Sequence, residues 1–344
     1  MDKLFSRVDL ADQKICSMSR TAARSVPSHA AALSEGVRRE GELMRRMIRL
    51  KEFPQSTEIV NTPPDWYVRA RDSSLVQQQY KIKTDENGFV LPEPASKPNF
   101  PTVILLGDSV VEGMFARPED RICSRLQAIL AREEGIDVAV LNGGYSGATV
   151  LHSFNTFMNK VIPLRPVAVV LLTGMVDCDV AMIKASFWSR DCWIEPIIEV
   201  GRGNQWRDSD RRSEPSFADQ LRLMAMFSTA SRVFEVPVWY ATLPHRQVFE
   251  GEYVGKTFAT RPAFDREVSL RLGINDAIRR AAFRDHVTLF DLELDLADRT
   301  DIFYDMFHLN ALGGEAVARS LIACGFAARL QTAIEAVEAH DKAK

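Results

Sequence analysis

The stretch PTVILLGDSVVEG, Pro101 to Gly113, decides the architecture. Its first half, Thr102 to Leu106, is an almost unbroken apolar run, the pattern of a strand buried on both faces in a parallel sheet. The run breaks at Gly107-Asp108-Ser109 and resumes as Val110-Val111-Glu112-Gly113, a strand giving way to a turn and the start of a helix. A serine in that turn stands at the C-terminal tip of a strand. Its hydroxyl faces the crevice above the sheet, and the helix N-terminus supplies backbone N–H donors. Taken alone, the tripeptide reads equally well as a serine capping a helix.

Working outward, the same alternation repeats. Apolar runs at Thr102–Leu106, Val138–Leu141, Val167–Thr173, Val236–Thr242 and Val287–Asp291 are separated or followed by helical patterns at Arg121–Glu133, Phe217–Phe234, Glu267–Arg284 and Leu312–Ile334. Strands alternating with helices predict an α/β fold, a five-stranded parallel sheet covered on both faces in three α/β/α layers. One insertion, Ala181 to Ser216, follows the third strand and carries Trp188, Trp193, Trp206 and the charged run Asp208 to Arg212. Long loops at this end of a parallel sheet often bind ligands. These tryptophans either line such a surface or pack the insertion onto the domain.

The first hundred residues read differently. Ala31 to Lys51 spaces Leu33, Val37, Met44, Met47, Ile48 and Leu50 helically, with five arginines on the remaining faces. Glu35, Glu40, Glu42 and Glu52 dilute that charge, which favours a helix packed on the domain over a membrane-surface helix. Phe53-Pro54 and Thr62-Pro63-Pro64 end the helix and mark a linker. Gln79 to Val90 alternates Tyr80 and Ile82 with polar residues before a turn at Glu86-Asn87-Gly88, a short hairpin. The organisation read from this is an N-terminal helical extension and linker over 1–78, a lead-in hairpin over 79–100 and the main domain over 101–335.

With 344 residues, 43 Lys plus Arg, 46 Asp plus Glu and a net charge of −3, the chain is an ordinary globular one. The balance argues against a nucleic-acid binder, which carries a basic excess. No apolar run approaches the ~20 residues of a membrane span. Asp2, Asp9 and Asp12 interrupt any secretory leader, and Cys16, Cys123, Cys178, Cys192 and Cys324 are widely spaced with no CxxC. A cytoplasmic location with free thiols is expected.

A nucleophilic serine needs a base. Asp305 and His308 stand three apart, just before the final helix, so His308 is placed to take a serine proton and Asp305 to fix its tautomer. A lone DxxH is also compatible with an exposed turn or half of a metal site, but His29, His152, His245, His286 and His340 show no ligand spacing that completes a metal cluster. The second strand ends in Asn142-Gly143-Gly144-Tyr145-Ser146-Gly147, a glycine-rich turn able to bring a backbone N–H to a bound acyl group. A phosphate-binding turn is the other reading, though GxGxxG and a P-loop lysine are both missing.

Together, Gly107-Asp108-Ser109, the Asn142-to-Gly147 turn, Gly174-Met175-Val176-Asp177 and Asp305-Met306-Phe307-His308 resemble, in order and at the matching strand ends, the SGNH/GDSL hydrolases. The resemblance runs from about Pro101 to Leu330 and implies the flavodoxin-like SGNH fold. It implies Ser109 as nucleophile, His308 as base and acid, Asp305 as its orienting partner, and the N–H groups of Ser109 and Gly147 in an oxyanion hole, with no metal or cofactor. The family's third oxyanion donor is an asparagine, and here Val176 stands in its place. Losing one such donor costs about 2.7–4 kcal/mol, or ~100–1,000-fold in rate. Three explanations compete: Asn142 or Thr173 substitutes, two donors suffice for the acyl group used, or the site is no longer hydrolytic. The intact Ser109, His308 and Asp305 disfavour the last.

The leading expectation is a serine ester hydrolase acting on an O-acylated carbohydrate or a small ester. An acyltransferase to a sugar hydroxyl uses the same residues, and a non-catalytic module binding an acylated glycan is the alternative of a different class. Tyr145, Trp188 and Trp193 are candidate substrate contacts beside Asn142 and Thr173. Tyr145 and His152 either shape the acyl pocket or simply pack. His245 is expected in a loop role, Asp177 to order the loops beside the site, and Cys178 as a small buried hydrophobe.

Overall fold

The structure is a computed structural model and describes residues 50–97, 99–189 and 210–342. In chain order its strands are β1 (Glu58–Asn61), β2 (Tyr80–Lys83), β3 (Thr102–Gly107), β4 (Ala139–Gly144), β5 (Ala168–Leu172), β6 (Val238–Ala241) and β7 (Leu289–Phe290). Its helices are α1 (Asp65–Arg69), α2 (Ser109–Glu112), α3 (Ile122–Glu133), α4 (Val150–Thr156), α5 (Met175–Met182), α6 (Ala218–Phe234), α7 (Glu252–Thr257), α8 (Arg261–Asp285), α9 (Leu292–Asp295), α10 (Ala311–Ala323) and α11 (Phe326–Lys342).

The five expected apolar runs form one parallel sheet in the order β4-β3-β5-β6-β7. The period of two along a strand sorts their side chains. Val103 and Leu105 of β3, with Ala168, Val170 and Leu172 of β5, pack on Leu126 and Leu130 of α3, Val317 and Leu321 of α10 and Phe326 of α11. Ile104, Leu106, Val169 and Leu171 point the other way, onto Val150 of α4, Phe227 of α6 and Ile278 of α8. Continuous hydrophobicity therefore feeds two cores, and three α/β/α layers result. Truncating Leu105, which is wholly buried, belongs to the class of change that costs about 2–5 kcal/mol.

The strand order reverses between β3 and β5: β3 pairs β4 on one side and β5 on the other. This switch point leaves a crevice outside the carboxyl ends of the strands. Ser109 is the second residue beyond β3 and opens on it.

Three expectations need correction. The final helical pattern is two helices, α10 and α11, bent by 66°. Gly325 between them adopts φ +85°, a conformation open to glycine and closed to a continuing helix. The segment read as linker is structured: Pro64 caps α1, and Tyr67 and Leu75 are buried against Tyr80, Phe115 and Tyr304. The expected hairpin is only partly one. Thr84 and Val90 make a single antiparallel bridge across the turn, but β2 pairs along its length with β1, Glu58 opposite Lys83 and Asn61 opposite Tyr80. Val90 also bridges Asn142 antiparallel, stitching the lead-in onto the sheet edge. The basic N-terminal helix lies outside the described residues, apart from Leu50 and Lys51. No single helix among the described residues is long and apolar enough to cross a membrane.

Candidate active site

Close approach of backbone sets the floor of the site. A Cβ on Gly107 would lie 2.1 Å from the Leu172 carbonyl oxygen, and one on Gly144 would lie 2.3 Å from the Glu112 nitrogen. Only glycine lets β3, β4, β5 and α2 converge there. Asp108 is completely buried and caps α2. Its carboxylate accepts from the Val110 N–H and the Met175 N–H, 3.0 Å each, tying the ends of β3 and β5 together. Burial raises the Asp108 carboxyl despite these donors.

Ser109, His308 and Asp305 come together across 199 positions of sequence. Ser109 Oγ is 2.8 Å from His308 Nε2, and His308 Nδ1 is 2.8 Å from Asp305 Oδ2. With the proton on Nδ1, the imidazole donates to the carboxylate and Nε2 is left to accept from the serine. Asp305 Oδ1 accepts from the Phe307 and His308 N–H groups, at 3.0 and 2.8 Å, so the DMFH turn folds around its own carboxylate. The Tyr304 ring stacks on the imidazole, 5.5 Å between centroids and 8° from parallel. Burial alone would raise the Asp305 carboxyl. His308, the Arg71 guanidinium and the Phe307 N–H outweigh it and hold it below the usual carboxylate range.

The second strand's turn is pinned on both sides. The Ser146 N–H donates to the Glu112 carboxylate, and the Gly147 carbonyl accepts from Lys51 Nζ at 2.6 Å. Gly147 adopts φ +77°, which favours glycine. Tyr145 donates its N–H to the Gly107 carbonyl, and its ring lies 5.1 Å from Phe53. Glu112 is buried and pushed up to about 7 by desolvation.

Several expected contacts are turned away from the crevice. Asn142 is buried, its amide donating to the Val111 carbonyl at 2.7 Å and accepting from Gly144 N–H at 2.9 Å. The Thr173 hydroxyl donates to Asp177 Oδ2 at 2.9 Å. Both side chains offered as substitute oxyanion donors or substrate contacts are thus committed to holding the turn and α5. Asp177 also accepts from the Val150 N–H, and burial pushes it up to about 7. Val176 is half-buried against the apolar cluster under α4 and α6. His152 forms a capping box with Thr149 at the start of α4. His245 is buried against the Leu243 carbonyl, its imidazole pushed down to about 3 by desolvation. Trp188 is half-exposed in a turn at Ser186–Trp188, edge-on to Phe187. Trp193 and Trp206 lie outside the described residues.

Beside Ser109 and His308 a small crevice, partly open to solvent, is walled by Phe115, Ala116, Tyr304 and Leu309. Sequence reasoning missed Arg71, whose Nε donates to Asp305 Oδ2 at 3.1 Å. No local signal pointed to it, because its partner is 234 positions away. Glu112 was missed as well, although a single charged side chain in the apolar helix start Val110-Val111-Glu112-Gly113 is a signal for a buried carboxyl.

A serine hydrogen-bonded to a histidine that is in turn bonded to a buried carboxylate, at the switch point of a 2-1-3-4-5 parallel sheet, defines the class of SGNH ester hydrolases. The chain belongs to the GDSL-like lipase/acylhydrolase family, whose model matches residues 105–316. Solved structures with a similar fold include the acetyl xylan esterase AlAXEase (18% identity, TM-score 0.43, 65% of this chain and 99% of that one). TesA is another (15%, 0.43, 65% and 97%). A third is Axe2, an acetylxylan esterase from Geobacillus stearothermophilus (14%, 0.42, 65% and 94%). No curated protein matches the chain.

Proposed function

We propose that this ester hydrolase works through Ser109, His308 and Asp305 by way of an acyl-enzyme, on a short acyl group carried by a carbohydrate or small alcohol. The observation that carries the reading is the unbroken pair of 2.8 Å hydrogen bonds from serine to histidine to aspartate. Ser109 Oγ attacks the ester carbonyl carbon while His308 Nε2 takes its proton. Asp305 stabilises the imidazolium that forms. The N–H groups of Ser109 and Gly147 receive the developing oxyanion. The intermediate collapses, and His308 returns the proton to the leaving alkoxide. Water, deprotonated by the same nitrogen, then attacks the acyl-enzyme; the acyl–Oγ bond breaks, His308 returns that proton to Ser109 Oγ, and the acid leaves. With Asn142 and Thr173 committed elsewhere, this mechanism runs on two backbone donors. The small size of the crevice lined by Phe115 and Tyr304 supports a short acyl group.

Hydrolysis of p-nitrophenyl acetate and longer p-nitrophenyl esters tests this. Acetyl is expected to be preferred, and Ser109→Ala or His308→Ala to lower kcat by about 10³-fold or more. Turnover by Ser109→Ala equal to that of the wild type sinks the proposal. Adding sugar acceptors to the same assay separates hydrolysis from acyl transfer, since transfer consumes ester without releasing an equal amount of acid.

A further inference from the structure

Asp305 Oδ2 carries two donors. His308 Nδ1 approaches it at 2.8 Å and Arg71 Nε at 3.1 Å, with the Asp305 and Arg71 side chains 4% and 10% exposed. The arginine comes from the stretch after α1, outside the region that the family model matches. We infer that Arg71 is a positioning residue of the active site, which clamps the Asp305 carboxylate and lets the Ser109–His308 pair work at lower pH than it would without that guanidinium. The inference rests on the proposed triad.

The geometry gives the sign. A guanidinium on the oxygen that faces the imidazole takes up part of the carboxylate's negative potential and sets a fixed positive charge near the ring. Both effects weaken the attraction between the carboxylate and a positively charged ring. Without Arg71 the whole carboxylate charge acts on the ring, and activation of Ser109 is expected to need a higher pH. Other ionisable groups around the pair are Asp108 and Glu112 beneath Ser109, Tyr304 stacked on the ring, Tyr253 and Arg246 behind Asp305, and Arg271 over Phe307. Of the three arginines, Arg71 is the one bonded to the carboxylate. Arg246 donates instead to the Asp305 backbone carbonyl at 3.2 Å.

The guanidinium is not what anchors its segment. The Arg71 carbonyl accepts from Lys256 Nζ at 2.7 Å, the Asp72 N–H donates to the Tyr304 carbonyl at 2.7 Å, and Tyr67 and Leu75 are buried on either side. The guanidinium itself lies 4.1 Å over the Tyr67 ring, which fixes its aim. A neutral side chain at 71 is therefore expected to leave the backbone in place.

The test is the pH dependence, from pH 4.5 to 9, of Ser109 labelling by a fluorophosphonate, which needs the free base and no identified substrate. Arg71→Gln is expected to move the acid limb up by about one pH unit, a roughly tenfold slower labelling on that limb. Arg71→Lys, which keeps the charge, is expected to leave the limb with the wild type and to lower the plateau, because an ammonium lacks the planar fork. An unmoved or lowered limb in Arg71→Gln overturns the inference, as does a limb in Arg71→Lys displaced as far as in Arg71→Gln. Should Arg71→Gln not fold, the lysine variant decides: an unmoved limb with a lowered plateau supports the role, and a displaced limb or an unchanged plateau overturns it. Equal labelling of Ser109→Ala would instead remove the triad on which all this stands.

Discussion

Val176 is where this chain departs from its family at the level of one side chain. It occupies the first turn of α5, beside the Met175 N–H that binds Asp108 under Ser109. The neighbouring polar groups do not replace the missing amide, because Asp177 captures the Thr173 hydroxyl and the Val111 carbonyl of α2 captures the Asn142 amide. An asparagine at 176 would restore a third oxyanion donor at the cost of drawing a polar group toward an apolar cluster. Val176→Asn is therefore expected to raise kcat on p-nitrophenyl acetate by about ten- to a hundredfold, short of the full ~100–1,000-fold of an established donor. Steady-state kinetics with a parallel Tm measurement checks it. A fall in kcat in a folded variant would mean that the two backbone donors already complete the hole.

At the scale of elements, the site is held by ties between neighbours of the sheet's carboxyl edge. Glu112, at the end of α2, receives the Ser146 N–H of the turn after β4, and its other oxygen has no hydrogen-bond partner among the described residues. Desolvation pushes this carboxyl up to about 7. The folded protein thus keeps a proton on Glu112 that the unfolded chain releases near the ordinary 4.5. Unfolding between these values releases a proton, so Glu112 lowers stability as pH rises through that window and has no further effect above it. Asp177, also pushed up to about 7, acts in the same direction. Glu112→Gln keeps an acceptor for Ser146 and removes the titration. Urea unfolding at pH 5 and pH 8 is expected to show the pH-dependent loss of stability reduced by as much as about 3 kcal/mol in the variant. An undiminished loss would place the titration elsewhere.

Over the whole molecule, what was legible in sequence is what is encoded locally. The five buried strands announce themselves because each must be apolar on both faces, and Ser109, Asp305 and His308 because each lies at a strand or helix end within a contiguous block. Residues 50–78 were not legible for the opposite reason. Pro63 and Pro64 read as chain-breaking, yet Pro64 caps a short helix. The partner of β2 is β1, about twenty residues earlier, and a register is invisible until both strands are placed. Arg71 reaches Asp305 only once that segment is folded against Phe115 and Tyr304. The end of the last helical pattern was misjudged because one glycine at φ +85° decides it, and a lone glycine is tolerated inside many helices.

The central claim, an activated Ser109, is tested most directly by treating the purified full chain with a fluorophosphonate and mapping the adduct by mass spectrometry, with His308→Ala alongside. A single adduct on Ser109 is expected, one that forms readily in the wild type and is lost or slowed by orders of magnitude without His308. No adduct under conditions that label a control esterase, or one on Ser109 that forms equally fast in His308→Ala, would contradict it.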